Sequence, residues 1–354
     1  MSYVADATVP RVSILIPAAS TSTFLRACLR SLATCVPASI AHEIIVVLNE
    51  PEENGIVSGE FPDVTFVASP VNLGLAGAGN RARALARGEL LVLLHDDAEV
   101  EAGWLEALVD AVDAHPEAGA IGSKVFYPDG RLQNAGMIVW RDGTTSAPWP
   151  TACEPRADDF RETRAVDYCG SCSLLVRAAA WDAAGGLDER LYPAYPVDVD
   201  LAMALRHAGF SVLFEPRSVI RHHRGASITN RRWLEFIWSR NRRLFLEKWT
   251  PALEAHEPAD PESVEAIRRA LARAEATGER LAKAGGARPA TPPGTFDAEE
   301  QLRRMTRISS ELQRAYVADL EAKLEESEAD RSARLEVIEK LDAALRQARE
   351  GGNR

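Results

Sequence analysis

The sequence lacks any apolar run long enough to cross a membrane. A transmembrane helix needs about 20 consecutive, mostly apolar residues, and the hydrophobic stretches here are much shorter. Residues 1–11 also lack the basic-then-apolar order of a secretory signal peptide. We therefore expect a cytoplasmic protein, with at most a peripheral contact at the inner face of the membrane.

Cysteine is scarce, with 5 residues in a chain of 354, and the sequence has no second pair at zinc-ligand spacing. Cys169 and Cys172 have the C-x-x-C spacing, but they precede an apolar, strand-like run. A thioredoxin-type site is expected near the start of a helix instead, so the pattern argues against one. Buried, reduced thiols are the better interpretation of these cysteines.

The chain also lacks an excess of positive charge, because its formal net charge is −11. A protein that holds nucleic acid through counterion release carries the opposite sign, so no nucleic-acid partner is expected. A phosphorylated small molecule bound through a metal ion remains compatible with this charge. The hydrophobic content of 46% and charged content of 26% are those of an ordinary globular protein.

Short apolar strands alternate with helical patterns through most of the chain. Strands are predicted at residues 12–16, 43–48, 64–68, 91–94, 120–125, 164–176 and 211–214. Proline does not continue a central strand, so Pro17 is expected to end the first one. The alternation of strands with helices predicts βαβ units and a mainly parallel sheet.

Residues 89–100, ELLVLLHDDAEV, carry the most informative pattern. A short apolar run of this kind is typical of a strand buried on both faces, and it leads directly into His95, Asp96 and Asp97. In open α/β sheets, ligands bind beyond the carboxyl ends of the strands. Adjacent carboxylates at that place predict a divalent cation on a diphosphate. A helix N-cap or a solvated turn is the alternative interpretation.

Residues 72–80, NLGLAGAGN, are rich in glycine and alanine. Their spacing differs from the dinucleotide-binding fingerprint and they follow a weak strand, so we reject an NAD site. Small residues allow a helix to pack closely under a bound ligand, with Asn80 and Arg83 facing a phosphate or sugar. Tight helix packing without a ligand explains the same residues equally well.

A second group of chemically active residues lies between residues 198 and 223. Asp198 and Asp200 precede a predicted helix, where one carboxylate would cap the helix and the other would face a cleft. His222 and His223 follow a strand and are competent to bind a metal ion. Ordinary surface or core imidazoles are the alternative for this histidine pair.

Beyond residue 250 the composition changes to that of long helices. Residues 261–284 are rich in Ala, Arg and Glu, residues 285–295 resemble a Pro-stiffened linker, and residues 301–349 have apolar side chains three or four apart. This last segment predicts a coiled coil or helical hairpin and a homo-oligomer formed through it. The predicted domains are 1–250, 251–295 and 296–354.

Residues 10–250 resemble family 2 glycosyltransferases of the GT-A fold. The motifs that carry the resemblance are VSILIPAAS, NLGLAGAGNRARALARGELLVLLHDDAEV and GGLDERLYPAYPVDVDLAMALRHAGFSVLFEPRSVIRHHRGAS. RLQNAG, VDYC and YPAY are similar to the bacterial cell-surface-polysaccharide branch, which includes rhamnosyltransferases. The resemblance implies an α/β fold with a Rossmann-like, mainly parallel sheet flanked by helices, before a C-terminal helical extension. It also implies an inverting, hexosyltransferase-type enzyme with a nucleotide-diphosphate sugar donor and a glycan or lipid-linked acceptor.

The resemblance assigns roles to individual residues. Donor-binding positions are Pro17, Ala18, Ala19, Ser20, Asn49, Asn72, Gly74, Asn80 and Asp96. Asp97, with His222 or His223, would bind Mn²⁺ or Mg²⁺, and Asp198 would be the catalytic base. Acceptor positions are Tyr195, Val197, Asp200, Cys169 and Gly170. The sequence departs from the family at His95, the first position of the D-x-D motif, and at Val197, where the family usually has Glu.

Two other functions compete with this interpretation. A nucleotidyltransferase also binds a nucleoside phosphate and a metal ion, but it needs an early basic loop, and the loop after the first strand has no Lys or Arg before Arg26. A catalytically degenerate scaffold is favoured by Val197 and opposed by the retained Asp97 and Asp198. Release of nucleoside diphosphate from a panel of nucleotide sugars would separate these alternatives.

Overall fold

The computed structural model describes residues 9–19, 23–49, 58–156, 159–223, 230–284 and 296–351, with side chains as far as residue 325. The chain divides into two compact units, Met1–Thr306 and Arg307–Arg354. All the predicted site residues belong to the first unit. Within the described residues, no helix combines the length and apolarity that crossing a bilayer would require.

Short strands and amphipathic helices alternate along the first unit. The strands are β1 (Val12–Ala18), β2 (His42–Leu48), β3 (Val64–Ala68), β4 (Leu90–Leu94), β5 (Ala98–Val100), β6 (Ala118–Phe126), β7 (Leu132–Asn134), β8 (Ile138–Val139), β9 (Thr145–Ser146), β10 (Arg164–Ala165), β11 (Ser173–Arg177) and β12 (Ser211–His222). The helices are α1 (Thr23–Cys35), α2 (Gly74–Leu85), α3 (Trp104–Ala114), α4 (Ala178–Ala184), α5 (Val197–His207), α6 (Arg231–Leu253), α7 (Val264–Lys283) and α8 (Ala298–Gly351).

The central sheet has the strand order β10-β12-β6-β11-β4-β1-β2-β3. Strands β1 to β4 are mutually parallel, and β12 is parallel to β6. β11 is antiparallel to both of its neighbours, β4 and β6. This arrangement confirms the predicted α/β class and the mainly parallel sheet, and β4 lies in its interior as expected.

The core explains why β4 is wholly apolar. Val92 and Leu94 belong to the cluster formed with α1 and α3, whereas Leu93 lies on the α2 side of the sheet, near Gly79. Successive side chains of a strand point to opposite faces, so helices on both faces require an uninterrupted apolar run. Each such buried side chain stabilises the fold by about 1.5–3 kcal/mol.

Several predicted strand boundaries were wrong, and the strand predicted at 211–214 continues to His222 as β12. β1 continues through Pro17 to Ala18, pairing with β2. The ladder between β1 and β4 has already ended at Leu15, so the N–H that Pro17 lacks is not needed on that side. Residues 164–176 form two strands, β10 and β11, because the chain passes from the outer edge of β12 to the gap between β6 and β4.

The segment between β10 and β11 contains a buried carboxylate, Asp167. It accepts hydrogen bonds from Arg273 at 2.8 and 2.6 Å and from the Val139 N–H at 2.9 Å. Burial alone would raise the pKa of Asp167, but Arg273 and Arg206 hold it below its ordinary value. This ion cluster fastens α7 to the sheet domain.

α8 begins in the first unit and continues through the second as one helix from Ala298 to Gly351. Its residues 298–306 belong to the first unit. The coiled coil expected from the apolar spacing of this segment stays a prediction, as does the homo-oligomer.

Candidate active site

Strand pairing brings His222 beside Asp97, although the two residues are far apart in the sequence. The short β5 follows Asp97 and pairs with the end of β12, which sets His222 opposite Ala98. The His223 N–H donates to the Asp97 carbonyl at 3.0 Å and closes this corner of the sheet. As a result, Nε2 of His222 lies 3.0 Å from Oδ1 of Asp97.

His95 completes a cluster with these two residues. Its Nδ1 lies 3.9 Å from Oδ1 of Asp97, and its ring meets that of His222 edge-on, with centroids 5.3 Å apart. One ligand atom from each of the three residues lies within 4.8 Å of the other two. This spacing is suited to a single cation held at the carboxyl end of β4.

The chemistry of the cluster fits a divalent transition-metal ion. Burial, together with the charge of His222, lowers the pKa of His95 to about 4, so that its imidazole is neutral at pH 7. Burial alone would raise the pKa of Asp97, but the hydrogen bond and charge of His222 hold it below its ordinary value. Imidazole nitrogens are ligands for transition-metal ions, whereas Mg²⁺ prefers oxygen ligands.

Gln133 orients the ring of His222. Its Oε1 lies 2.7 Å from Nδ1 of His222, and its Nε2 donates to the His222 carbonyl at 3.2 Å. Because an amide oxygen only accepts, Nδ1 carries a proton and Nε2 is directed at Asp97. Burial opposes the protonated ring, but Cys172 and Asp97 raise the pKa of His222 to about 10. The imidazolium thus neutralises Asp97, and a metal ion would displace the proton on Nε2.

His223 lies outside the cluster, so the structure separates the two histidines of the motif. Its Nε2 is 3.0 Å from Oε1 of Glu99, and its ring packs 4.9 Å from that of Phe24. Adjacent residues of an extended segment point in opposite directions, which accounts for the different surroundings.

The ends of β1 and β4 meet through Asp96. Its Oδ2 accepts a hydrogen bond from the Ala19 N–H at 2.9 Å. Burial, with a further contribution from Asp97, raises the pKa of Asp96 to about 6. Pro17 and Ala18, also predicted to bind the donor, form the last two residues of β1. Ser20 lies outside the described residues.

Asn49, Asn72 and Gly74 shape the turn that begins α2. Oδ1 of Asn49 accepts the Leu73 N–H at 2.8 Å, and Oδ1 of Asn72 accepts the Gly74 N–H at 2.8 Å. Gly74 has a φ of +62°, and a Cβ there would lie 2.6 Å from the carbonyl oxygen of Pro193. Glycine is therefore required both by the backbone conformation and by the available space.

Asn80 and Arg83, on α2, bind protein groups. Asn80 accepts the Leu187 N–H at 2.9 Å and donates to the Leu187 carbonyl at 2.8 Å and to Glu189 at 3.1 Å. Arg83 forms an ion pair with Asp182 at 2.7 Å. These side chains hold α2 against the segment that leads to α5.

Asp198 lies in the first turn of α5. Its Oδ1 accepts the Val199 N–H at 3.0 Å, and its Oδ2 accepts the Ser171 N–H at 3.4 Å. Burial raises the pKa of Asp198 against the lowering effect of these hydrogen bonds. Ser171 also contacts the metal-competent cluster, because its Oγ lies 3.1 Å from Nε2 of His95.

Asp200, two residues further on, is bound by the protein. It accepts hydrogen bonds from Nζ of Lys248 at 2.8 Å and from Nε1 of Trp249 at 2.7 Å. Burial raises the pKa of Asp200, although Lys248 opposes this shift. Asp200 therefore fastens α5 to α6, whereas Asp198 is left with backbone partners.

The remaining predicted acceptor residues differ in their surroundings. Tyr195 has a φ of +56° and stacks on Trp238 with ring centroids 5.1 Å apart. Val197 is buried. A Cβ at Gly170 would lie 3.9 Å from Oδ2 of Asp198. Burial raises the pKa of Cys169 to about 12, so its thiol is unreactive.

Gln133 and Ser171 were not identified as site residues from the sequence. Gln133 belongs to RLQNAG, a motif similar to the polysaccharide branch, and Ser171 lies between the cysteines of the C-x-x-C pattern. Both act on His95 or His222 through contacts between distant parts of the chain, which local spacing does not reveal.

Comparison with known proteins agrees with this architecture. Residues 13–183 match the model of glycosyl transferase family 2. The O-antigen biosynthesis protein RfbC of Myxococcus xanthus is 30% identical, over 62% of this chain and 18% of its own length. The N-acetylglucosaminyl-diphospho-decaprenol L-rhamnosyltransferase of Mycobacterium tuberculosis is 31% identical, over 47% of this chain and 61% of its own length. The chain thus spans less than two thirds of either relative.

Among solved structures, GalNAc-T7 with UDP, GalNAc and Mn²⁺ is similar in fold. It aligns with a TM-score of 0.54 at 15% identity, over 78% of this chain and 57% of that one. At this identity the similarity concerns the GT-A fold alone. Together, the family match and the sheet show that residues 13–183 are similar to a glycosyl transferase family 2 domain.

Proposed function

We propose that this chain is an inverting glycosyltransferase that transfers a sugar from a nucleotide-diphosphate donor to an acceptor hydroxyl. One observation carries the proposal. Ser171 contacts both the cluster of His95, Asp97 and His222 and the carboxylate of Asp198. The chain thus places a cation-competent group and a candidate base in contact with the same residue, Ser171.

Asp97 and His222, with His95 as a further ligand, are the residues that would hold Mn²⁺ in preference to Mg²⁺. When bound, such an ion supplies a Lewis acid that stabilises the negative charge developing on the departing diphosphate. Gln133 keeps Nε2 of His222 directed at Asp97, and we propose His222 rather than His223 as the ligand.

Asp198 is the proposed general base. It takes the proton of the acceptor hydroxyl as the acceptor oxygen bonds to the anomeric carbon and the bond from that carbon to the diphosphate oxygen breaks. Attack opposite the leaving group inverts the anomeric configuration. The upward shift in the pKa of Asp198 brings the carboxylate nearer to neutral pH, where general bases are most effective.

Around these residues, Pro17, Ala18, Ala19, Ser20, Asn49 and Asp96 are proposed to border the nucleotide. Asn72, Gly74 and Asn80 support it from the turn and helix beneath. Tyr195, Val197, Gly170, Cys169 and Asp200 are proposed to shape the acceptor side, directly or by holding α5 in place.

The relatives suggest the biological setting. One is an O-antigen biosynthesis protein and another transfers L-rhamnose to a diphospho-decaprenol-linked sugar. We therefore propose a role in bacterial cell-surface glycan assembly, with a glycan or lipid-linked acceptor. A cytoplasmic location, peripheral contact with the membrane and self-association through α8 stay predictions.

The test is nucleoside-diphosphate release from a panel of nucleotide sugars, with Mn²⁺ or Mg²⁺, for three forms of the chain. Wild type should turn over at least one donor, while Asp198→Asn should lose transfer and keep Mn²⁺-dependent donor binding. Asp97→Asn should lose that binding. Near-normal turnover by Asp198→Asn would show that the base is assigned wrongly, and failure of wild type to bind any donor would favour the scaffold.

A further inference from the structure

The first turns of α8 insert into the domain that carries the proposed active site. Gln301 and Met305 are fully buried although they lie at the start of a long, polar helix. Nε2 of Gln301 donates to the Gly77 carbonyl at 2.9 Å and to Oε1 of Glu189 at 2.7 Å. A single side chain therefore connects α8 both to α2 and to the segment before α5.

Glu189 is the centre of these contacts. It is a buried carboxylate, and its Oε2 accepts a hydrogen bond from Nε of Arg304 at 2.8 Å, with a second contact from the same guanidinium. Its Oε1 accepts from Asn80 as well as from Gln301. A buried carboxylate is costly unless paired and hydrogen-bonded, and two of its three partners come from α8.

The segment that Glu189 belongs to leads directly to Asp198. Residues 187–196 are held on their other side by Nδ2 of Asn241, which donates to the carbonyls of Ala194 at 2.9 Å and Tyr195 at 2.8 Å. The Leu75 N–H binds the Pro193 carbonyl at 2.8 Å. Contacts from α2, α6 and α8 thus fix the chain that enters α5.

On the opposite side, α8 packs against the small residues of α2. A Cβ at Gly77 would lie 3.5 Å from Sδ of Met305, an ordinary van der Waals distance, so Met305 packs directly against this part of α2. α2 begins at Gly74, in the stretch proposed to lie beneath the donor. The same turn of α8 therefore contacts the donor side and the acceptor side of the site.

The orientation of Gln301 is set by its partners. The Gly77 carbonyl and the Glu189 carboxylate both accept, so the amide nitrogen must face them and uses both its hydrogens. In exchange, Oε1 of Gln301 is buried without a hydrogen-bond partner. The two hydrogen bonds to Gly77 and Glu189 therefore set the orientation of this amide group.

We propose that Gln301 and Arg304 are positioning residues for the transfer reaction, and that the start of α8 completes the active site. Both residues bind Glu189. Through Glu189 they hold in place the segment that precedes Asp198, and they keep this segment aligned with α2. This inference rests on the proposed role of Asp198 as the base.

The test uses full-length Gln301→Met and Arg304→Lys. The first keeps the buried volume and removes both hydrogen bonds, and the second keeps the charge and removes the guanidinium fork. Arg303→Met is the matched control, because Arg303 is the neighbouring arginine and pairs with Glu300 and Glu299 on its own helix. Amide hydrogen exchange, Mn²⁺ binding by calorimetry, and kcat and KM for the best donor are measured for each.

We expect Gln301→Met to lower kcat by about tenfold or more, since small misplacements of reacting groups are costly. Exchange should rise across residues 187–199, while the donor KM and Mn²⁺ affinity stay near wild type. Arg304→Lys should show a smaller loss of the same kind, and Arg303→Met none. Wild-type exchange and kcat in Gln301→Met would overturn the inference, as would equal effects of Arg303→Met.

Failure of the proposed function has a different signature. If wild type turned over no donor, the assignment of Asp198 would fall, whereas the exchange experiment would still decide whether α8 orders residues 187–199. A general loss of protection throughout the domain would reduce Gln301 to a structural role and would also overturn the inference.

Discussion

Oγ of Ser171 lies 3.1 Å from Nε2 of His95. The backbone N–H of the same serine donates to Asp198. Ser171 therefore contacts both His95, which follows β4, and Asp198, in the first turn of α5. Because β11 begins two residues after Ser171, this serine is anchored in the central sheet. The proposed metal site and the proposed base are thereby held in register by the sheet itself.

Replacement of Asp97 should abolish the response to metal. Asp97→Asn keeps the shape of the side chain but removes the charge that attracts a divalent ion, so Mn²⁺ should no longer raise the melting temperature. His223→Gln is the matched control, since His223 contacts Glu99 and lies outside the cluster. It should respond to Mn²⁺ as wild type does, and equal loss in both variants would contradict the assignment of His222.

Gln133 should tune metal affinity without touching the ion. Gln133→Met removes the acceptor that holds Nδ1 of His222 and leaves the ring free to rotate. Loss of such an orienting partner weakens metal binding by about 10–100-fold, which calorimetric titration with Mn²⁺ would measure. Unchanged affinity would mean that the orientation of His222 is set elsewhere.

The sequence pattern was enough to predict the central sheet and to indicate which polar residues follow its strands. Apolar runs predict β4 and its neighbours because burial on both faces requires them, and the sheet-edge rule draws attention to Asp96 and Asp97 at the carboxyl end of β4. The division of residues 164–176 into β10 and β11 escaped prediction because the two strands pair with distant parts of the chain, β10 with β12, and β11 with β4 and β6. An apolar pattern does not contain that pairing.

Distinguishing the paired residues also required the structure. Asp198 and Asp200 both lie in the first turn of α5. Lys248 binds Asp200, whereas Asp198 accepts a backbone N–H. His222 and His223 likewise differ through Gln133 and Glu99, which come from other elements. Tertiary partners decide which member of each pair is available for chemistry, and one sequence does not specify them.

The ion cluster around Asp167 should be important for stability. Asp167→Asn leaves the buried Arg206 without its carboxylate partner, while Arg273 keeps only Glu257, which should cost about 3 kcal/mol of unfolding free energy. Because the folded pKa of Asp167 is lowered, this stabilisation is present above the unfolded pKa and is lost as the pH falls through the folded one. Urea unfolding at neutral pH would measure it.

Asp129→Asn is the control for this measurement. Asp129 pairs with Arg131 at the surface, where ion pairs contribute little, so its replacement should leave the unfolding midpoint nearly unchanged. Similar losses for Asp129→Asn and Asp167→Asn would show that charge alone, rather than burial, determines the effect.

Gly74→Ala should disturb the turn beneath the proposed donor site. The left-handed conformation costs an alanine about 1–2 kcal/mol, and its Cβ would also collide with the Pro193 carbonyl. Gly130 has a φ of +87° and open space around it, so Gly130→Ala has the first cost without the second. The excess loss of stability in Gly74→Ala, measured by urea unfolding, isolates the collision. Equal losses would show that the turn yields to the added methyl group.

The pH dependence of transfer should reflect Asp198. Because burial raises its pKa in the folded protein, the base is protonated over a wider acidic range than an ordinary aspartate, and kcat/KM should rise with pH through this shifted value. The stability of the fold should change in the opposite direction to the rate. Protonated Asp198 is favoured in the folded state, and the stabilisation that this provides is lost as the pH rises through the folded pKa of Asp198. Asp198→Asn should therefore lose less stability than wild type as the pH rises above the ordinary aspartate pKa of about 4. Rate profiles and urea unfolding over that range would check both signs, and a rate that levels off at the ordinary pKa of aspartate would contradict the assignment.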